Sequence, residues 1–193
     1  MNIRFGTSGW RAIIADDFTF TNVRKVTEAI CRYLKKSFGD GNEALIIGYD
    51  SRFMGEKFAA VAAEIARKKG FRVLLCNHPT PTPTISHAIR NNRAVGGINF
   101  TASHNPPEYQ GIKFSTADGA PALPEITKRI EEFILNPPNL EDKEGGSIEE
   151  FDPRPAYLDD LKTKINFDRI AEAKGRFVYD AFWGTGRGYL DKI

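Results

Sequence analysis

Three short, mainly apolar runs, Ala44–Gly48, Phe71–Cys76 and Ala94–Phe100, interrupted only by Arg72 and Asn99, alternate with segments whose apolar residues recur at helical spacing. A continuous apolar run of this length is what a strand covered on both faces requires. Val23, Val26, Ile30 and Leu34 mark a helix over Asn22–Phe38, with Thr21 or Asn22 as its N-cap, and Gly39–Asn42 then makes a turn. Phe58–Lys69 reads as a second helix stopped by Gly70, and Thr82 or Thr84 opens a third that runs through Arg90. Strands alternating with helices in this way predict an α/β sheet held between layers of helix. A short strand at Ile112–Ser115 and an amphipathic helix at Leu123–Leu135 continue the same unit.

The chain changes character over Asn136–Pro155, where Pro137-Pro138, Gly145-Gly146 and an acidic bias predict an exposed connection between domains. The boundary falls near Phe151, giving a first domain over 1–150 and a second unit over 151–193. In the second unit Tyr157–Ile165 and Asp168–Lys174 look helical, Arg176–Asp180 looks like a strand, and Gly184-Thr-Gly-Arg-Gly188 follows. One strand in so short a stretch cannot close a sheet, so the chain is expected to be part of something longer.

Composition narrows the function classes. With 41% apolar and 27% charged residues and a formal charge of +2, the chain has a globular balance. Its basic residues are dispersed, which gives no electrostatic case for nucleic acid or a membrane surface. No leader-like or membrane-length apolar run occurs, and the two cysteines, Cys31 and Cys76, read as small buried hydrophobes of a reducing compartment. A cytoplasmic protein is the expectation; on oligomeric state the residues are silent.

The chemistry concentrates in Thr101-Ala-Ser-His-Asn-Pro-Pro-Glu-Tyr-Gln-Gly-Ile-Lys113. It follows a buried strand, so it should lie at the carboxyl end of the sheet, where α/β folds place their ligand crevices. Ser103 offers a hydroxyl nucleophile beside His104, Asn105 can bond the loop backbone, and Lys113 returns a cation after a glycine hinge. The plain alternative is a polar turn. A serine hydrolase is the weaker reading, because no Gly-x-Ser-x-Gly elbow is present. Two supporting stretches stand beside this loop. Phe5-Gly-Thr-Ser-Gly-Trp-Arg11 combines small residues (Thr7, Ser8 and Gly9) with Arg11, whose donor fork suits a phosphate, or it is a leader with a surface arginine. Gly48-Tyr-Asp-Ser-Arg52 brings Asp50 and Arg52 to the same sheet edge, to brace the serine loop or to cap the next helix. His78 and His87 have no partner at metal-ligand spacing, and Pro79-Thr-Pro-Thr-Pro83 reads as a rigid turn. The Gly184–Gly188 run is weak as a dinucleotide site, since it lacks a ribose-binding acid.

In series, Gly6–Arg11, Gly48–Arg52, Thr101–Pro106, Gly111–Phe114 and Asp180–Gly186 resemble the motifs of the α-D-phosphohexomutase family, in its order and at its approximate spacing. The resemblance implies a three-layer α/β/α mixed sheet for the first domain, followed by the beginning of a second domain of similar type. It implies a phosphosugar mutase in which Ser103 carries a phosphoryl group, passes it to a hexose 1- or 6-phosphate, and recovers the other phosphate from the bisphosphate so formed. Arg11 and Lys113 would face the transferring group, and His104 or Lys113 would act as general acid or base. Thr7, Ser8, Gly9, Asn105, Asp50 and Arg52 would bind phosphate or support the loop. A free lysine has a pKa of about 10.4, so Lys113 needs burial or a cationic neighbour, for which Arg11 is the candidate. The family implies Mg²⁺, with the phosphate on Ser103 as the only ligand that this chain supplies, and a hexose 1,6-bisphosphate activator. The alternatives are a phosphate-binding module without turnover and a phosphosugar phosphatase. The fragment alone is expected to be inactive.

Overall fold

The three apolar runs fold into three adjacent parallel strands at the centre of one sheet. The computed structural model describes residues 3–6, 9–39, 41–137 and 141–193; Thr7, Ser8, Asp40 of the expected 39–42 turn, and Pro138 lie outside them. The elements in chain order are β1 (Trp10–Ile13), α1 (Phe20–Phe38), β2 (Ala44–Tyr49), α2 (Gly55–Lys68), β3 (Arg72–Cys76) and α3 (Thr82–Asn91). They continue with β4 (Gly96–Phe100), β5 (Tyr109–Thr116), α4 (Pro124–Leu135), β6 (Ser147–Phe151), α5 (Arg154–Lys164), α6 (Phe167–Glu172) and a 3₁₀ turn at Leu190–Lys192. The sheet order is β1-β5-β4-β2-β3-β6, and it is mixed: β5 runs antiparallel to both β4 and β1, while β6 joins β3 in parallel.

Helices cover both faces. The face carrying Leu45, Ile47, Val73 and Ile98 packs against α1, α2 and α4 through Val26, Ile30, Leu34, Phe58, Ala62 and Ile130. The other face, with Ile46, Leu74 and Cys76, packs against Ile85, Ala88 and Ile89 of α3. Alternate residues of each central strand feed opposite cores, which explains why these strands read as mainly apolar runs. The three-layer α/β/α architecture is the one expected. Burial pushes the thiols of Cys31 and Cys76 up to about 12, which leaves both cysteines as unreactive core residues.

Several expectations change. Thr19, not Thr21 or Asn22, caps α1, accepting from the Asn22 amide at 3.3 Å. The stretch expected as a bare connection contains β6, an edge strand with the mixed burial and acidic character of Ser-Ile-Glu-Glu-Phe. An edge strand has one open side and needs no apolar run, so it resembles a linker in sequence. β1 was hidden for the same reason, since it lies at the other edge. The expected strand at Arg176–Asp180 is not one: these residues form no regular element and pair with nothing in the described sheet, and Phe177 and Val178 are exposed.

Candidate active site

Beyond the carboxyl ends of β2 and β4 lies a cleft of about 660 Å³, lined by Asp50–Phe53, Thr80, Thr82, Asn99, Thr101, Ser103, Asn105, Pro107, Gly184 and Thr185. Two parallel strands ending side by side deliver the loop after β2 and the serine loop after β4 to one place. Ser103 is exposed and holds φ at 58°, a left-handed conformation that costs a non-glycine residue about 1 kcal/mol or more. Its amide donates to Thr101 Oγ1 at 3.0 Å, and its Oγ lies 3.4 Å from His104 Nδ1.

Arg52 holds this loop from below. Its Nη1 donates to the carbonyls of Pro106 and Tyr109 at 2.7 and 3.1 Å. Its Nη2 donates to those of Ser103 and Asn105 at 3.1 and 2.5 Å. Its Nε faces Asp50 Oδ2 at 3.4 Å, while Asp50 Oδ1 accepts from the Arg52 amide at 3.0 Å. The guanidinium is therefore engaged with backbone, and Asp50 closes a turn two residues long rather than capping α2, whose N-cap is Met54 without a side-chain bond. From the other side Arg11 Nη1 donates to Asn105 Oδ1 at 3.0 Å, so Asn105 is gripped by two arginines.

The β1–β5 register explains how Arg11 gets there. Arg11 pairs with Gly111, and a Cβ on Gly111 would stand 2.9 Å from Arg11 Cγ, 2.5 Å from Thr101 O and 3.0 Å from Trp10 O. The missing side chain is the space in which Arg11 crosses β5. Gly9 is constrained as closely: at φ +121°, its Cβ would meet Ile112 O at 2.2 Å, so the backbone of the Gly6–Gly9 bridge lies directly on β5 beside Lys113. Gly111→Ala is expected to lower stability by about 1–3 kcal/mol through overpacking against backbone and to displace Arg11 from Asn105. Chemical unfolding and turnover of the same variant check both effects.

Lys113 is half-buried on β5. Burial first, and the Arg11 guanidinium second, hold its ammonium below the usual lysine range, with Asp50 opposing them. Below the folded value both states are protonated, and the folded chain bears the cost of the buried charge. That cost is relieved as pH rises from the folded value toward the unfolded one of about 10.4. Lys113→Met is therefore expected to be more stable than the native chain at neutral pH, with an advantage that shrinks toward that upper limit. A series of urea unfolding curves measures this, and an advantage that stays constant across the series would contradict it.

The structure thus brings Ser103, His104, Asn105, Asp50 and Arg52 to one cleft and loop, and sets Arg11, Gly9 and Lys113 along the adjoining β1–β5 edge. Thr7 and Ser8 lie outside the described residues. Thr80, Thr82, Asn99 and Thr101 also line the cleft and were not singled out as site residues. The available signal was Asn99, the one polar side chain inside the apolar run of β4. Gly184 and Thr185 reach the cleft too, but no strand precedes them and only a 3₁₀ turn follows, which is not a dinucleotide-binding βα turn. Among the described residues no three His, Cys, Asp or Glu side chains gather where they could hold a metal ion. No described helix is long and apolar enough to cross a membrane.

Residues 2–140 match the family described as phosphoglucomutase/phosphomannomutase, alpha/beta/alpha domain I. A phosphoglucomutase of Staphylococcus haemolyticus is 31% identical over 95% of this chain and 35% of its own length. A glucose 1,6-bisphosphate synthase of Mus musculus is 31% identical over 96% of this chain and 33% of its own length. The crystal structure of a protein named as a phosphomannomutase from Thermus thermophilus superposes with a TM-score of 0.89 at 36% identity, covering all of this chain and 43% of that one. The chain spans about a third of the curated relatives it matches.

Proposed function

Since the chain belongs to the phosphoglucomutase/phosphomannomutase family, we propose that it is the serine-bearing part of a longer cytoplasmic mutase that interconverts 1-phospho and 6-phospho hexoses through a phosphate on Ser103. The observation that carries this reading is an exposed Ser103 on a loop gripped by Arg52 and Arg11, close in the fold to a lysine of lowered pKa. A sugar hydroxyl attacks the phosphorus on Ser103, the Oγ–P bond breaks, and the hydroxyl proton passes to Lys113 or His104 as general base. Lys113 or His104 returns a proton to the departing Oγ. The hexose 1,6-bisphosphate then turns over, and the same steps run backward with its other phosphate. Alignment and charge supply most of such a rate, and both are what the clamped loop, Arg11 and Lys113 offer. Added hexose 1,6-bisphosphate activates the enzyme by phosphorylating Ser103 in the same way.

The family implies Mg²⁺, but the described residues do not make a site for it. Asp50, the one carboxylate among the described residues that line the cleft, is committed to Arg52. In this reading the ion is held at the Ser103 phosphate by ligands outside the chain, and no step above runs through it. Residues 151–193 open a second domain, which fits the exposure of Phe177, Val178, Phe182 and Trp183 and the lack of any buried residue in α5. Residues 1–193 alone accordingly show no turnover.

Product analysis of the full-length protein on glucose 1-phosphate tests the proposal. Glucose 6-phosphate is the expected product. Inorganic phosphate would make the protein a phosphatase, and binding without conversion would make it a binding module.

A further inference from the structure

Asn99 is only 3% exposed, yet it lines the cleft together with Thr82, Thr101 and Ser103. Its Nδ2 donates to Thr82 Oγ1 at 3.0 Å. Its Oδ1 is buried and accepts from no donor among the described residues. Buried amide oxygens are nearly always bonded, so one left open in a ligand cleft asks for a donor. Thr82 Oγ1 already accepts from Asn99, which leaves its own hydrogen to donate. The pair therefore presents one acceptor and one donor side by side, the complement of a single hydroxyl group.

The surrounding charge separates a hydroxyl from a phosphate. Thr80, Thr82, Asn99 and Thr101 are all neutral. Helix α3 begins beneath them, but Pro83 has no N–H, and the amides of Thr84 and Ile85 already bond Pro81 O at 3.0 and 3.2 Å. The start of α3 is thus a poor anion site. Arg52, the cation of the cleft wall, is engaged with loop carbonyls. Position points the same way. Asn99 pairs in register with Lys113, so the two side chains leave the same face of the sheet, and Ser103 follows four residues on. A ligand hydroxyl on Asn99 would sit beside both groups that handle the phosphoryl transfer.

We propose that Asn99 and Thr82 form a hydroxyl-recognising subsite, which orients the sugar ring by a hydroxyl other than the one that takes the phosphoryl group. The proposal rests on the hexose phosphate reading above and goes beyond it by assigning ring recognition to the serine-bearing domain. The Pro79–Pro83 run then has a use: it sets Thr82 at the start of α3, within reach of β4.

Binding separates this from turnover. In full-length protein carrying Ser103→Ala, calorimetry would compare glucose 1-phosphate with its 2-, 3- and 4-deoxy analogues. One analogue is expected to bind about tenfold more weakly than the parent sugar. Adding Asn99→Leu should weaken the parent by a similar factor and close that gap to within about twofold. Thr82→Val should shrink the gap for the same analogue, and it gives the same readout if Asn99→Leu does not fold. A merely structural role for Asn99 would weaken all four ligands alike and leave the gap open, which overturns the proposal, as does equal binding of all four before Asn99 is changed. If the gap behaves as expected but native protein converts no glucose 1-phosphate, the subsite stands and the mutase reading falls. If no sugar phosphate binds, both fall.

Discussion

Ser103→Ala in the full-length protein is expected to reduce conversion of glucose 1-phosphate to glucose 6-phosphate by at least about 10⁴-fold, because it removes the atom on which the phosphoryl group is carried. The fold should hardly notice. Ser103 is exposed, its hydroxyl has no hydrogen-bond partner among the described residues other than His104 at 3.4 Å, and its amide keeps its bond to Thr101 Oγ1. Stability within about 0.5 kcal/mol of native is expected for such a surface change. Thr101, the neighbouring hydroxyl, cannot take over, because it is buried and accepts from the Ser103 amide. Steady-state kinetics with an unfolding curve on the same preparation make the comparison. Residual turnover within tenfold of native would place the chemistry on another group.

Arg52→Ala is expected to be nearly as damaging, for a different reason. Arg52 touches no reacting atom in the proposed mechanism; it donates to four carbonyls of the loop that presents Ser103. Without it those carbonyls lose their shared donor, Asp50 loses its partner, and the strained φ of Ser103 is no longer held from below. Small misplacements of a reacting group cost on the order of 10²-fold. We expect kcat to fall by about 10²- to 10³-fold with a smaller change in KM, together with a loss of about 1–3 kcal/mol in stability. Arg52→Lys should recover little, because an ammonium cannot spread donors over carbonyls on two sides of a turn. A loss confined to KM would mean that Arg52 binds ligand instead of holding the loop.

What was legible in the sequence depended on where each element lies in the sheet. β2, β3 and β4 are covered on both faces, and this forced the apolar runs from which the α/β fold was read. β1 and β6 lie at the edges, so Trp-Arg-Ala-Ile and Ser-Ile-Glu-Glu-Phe carry no such pattern. Arg176–Asp180 failed in the opposite sense: its composition suits a strand, but a strand exists only by pairing, and no described neighbour supplies its hydrogen bonds. At the site, motifs that each follow a strand could be assigned to one sheet edge. The extent of Arg52's grip, reaching carbonyls more than fifty positions away, could not. Burial and an Arg11 neighbour were the expectation for Lys113 and hold, but the close approach of β1 to β5 at Gly9 and Gly111 that brings Arg11 there could not be read from the chain. Asn99 and Thr82 meet only because β4 runs over the start of α3, an adjacency that spacing in the chain does not reveal.

The central claim is that Ser103 carries the phosphoryl group, and locating that phosphate tests it most directly. Full-length protein would be treated with glucose 1,6-bisphosphate and Mg²⁺, digested, and its phosphopeptides mapped alongside an untreated sample. The account predicts phosphate on the peptide that contains Ser103, increased by the bisphosphate and absent from Ser103→Ala. An unmodified Ser103 peptide under both conditions, in protein that still converts the sugar phosphate, would contradict it.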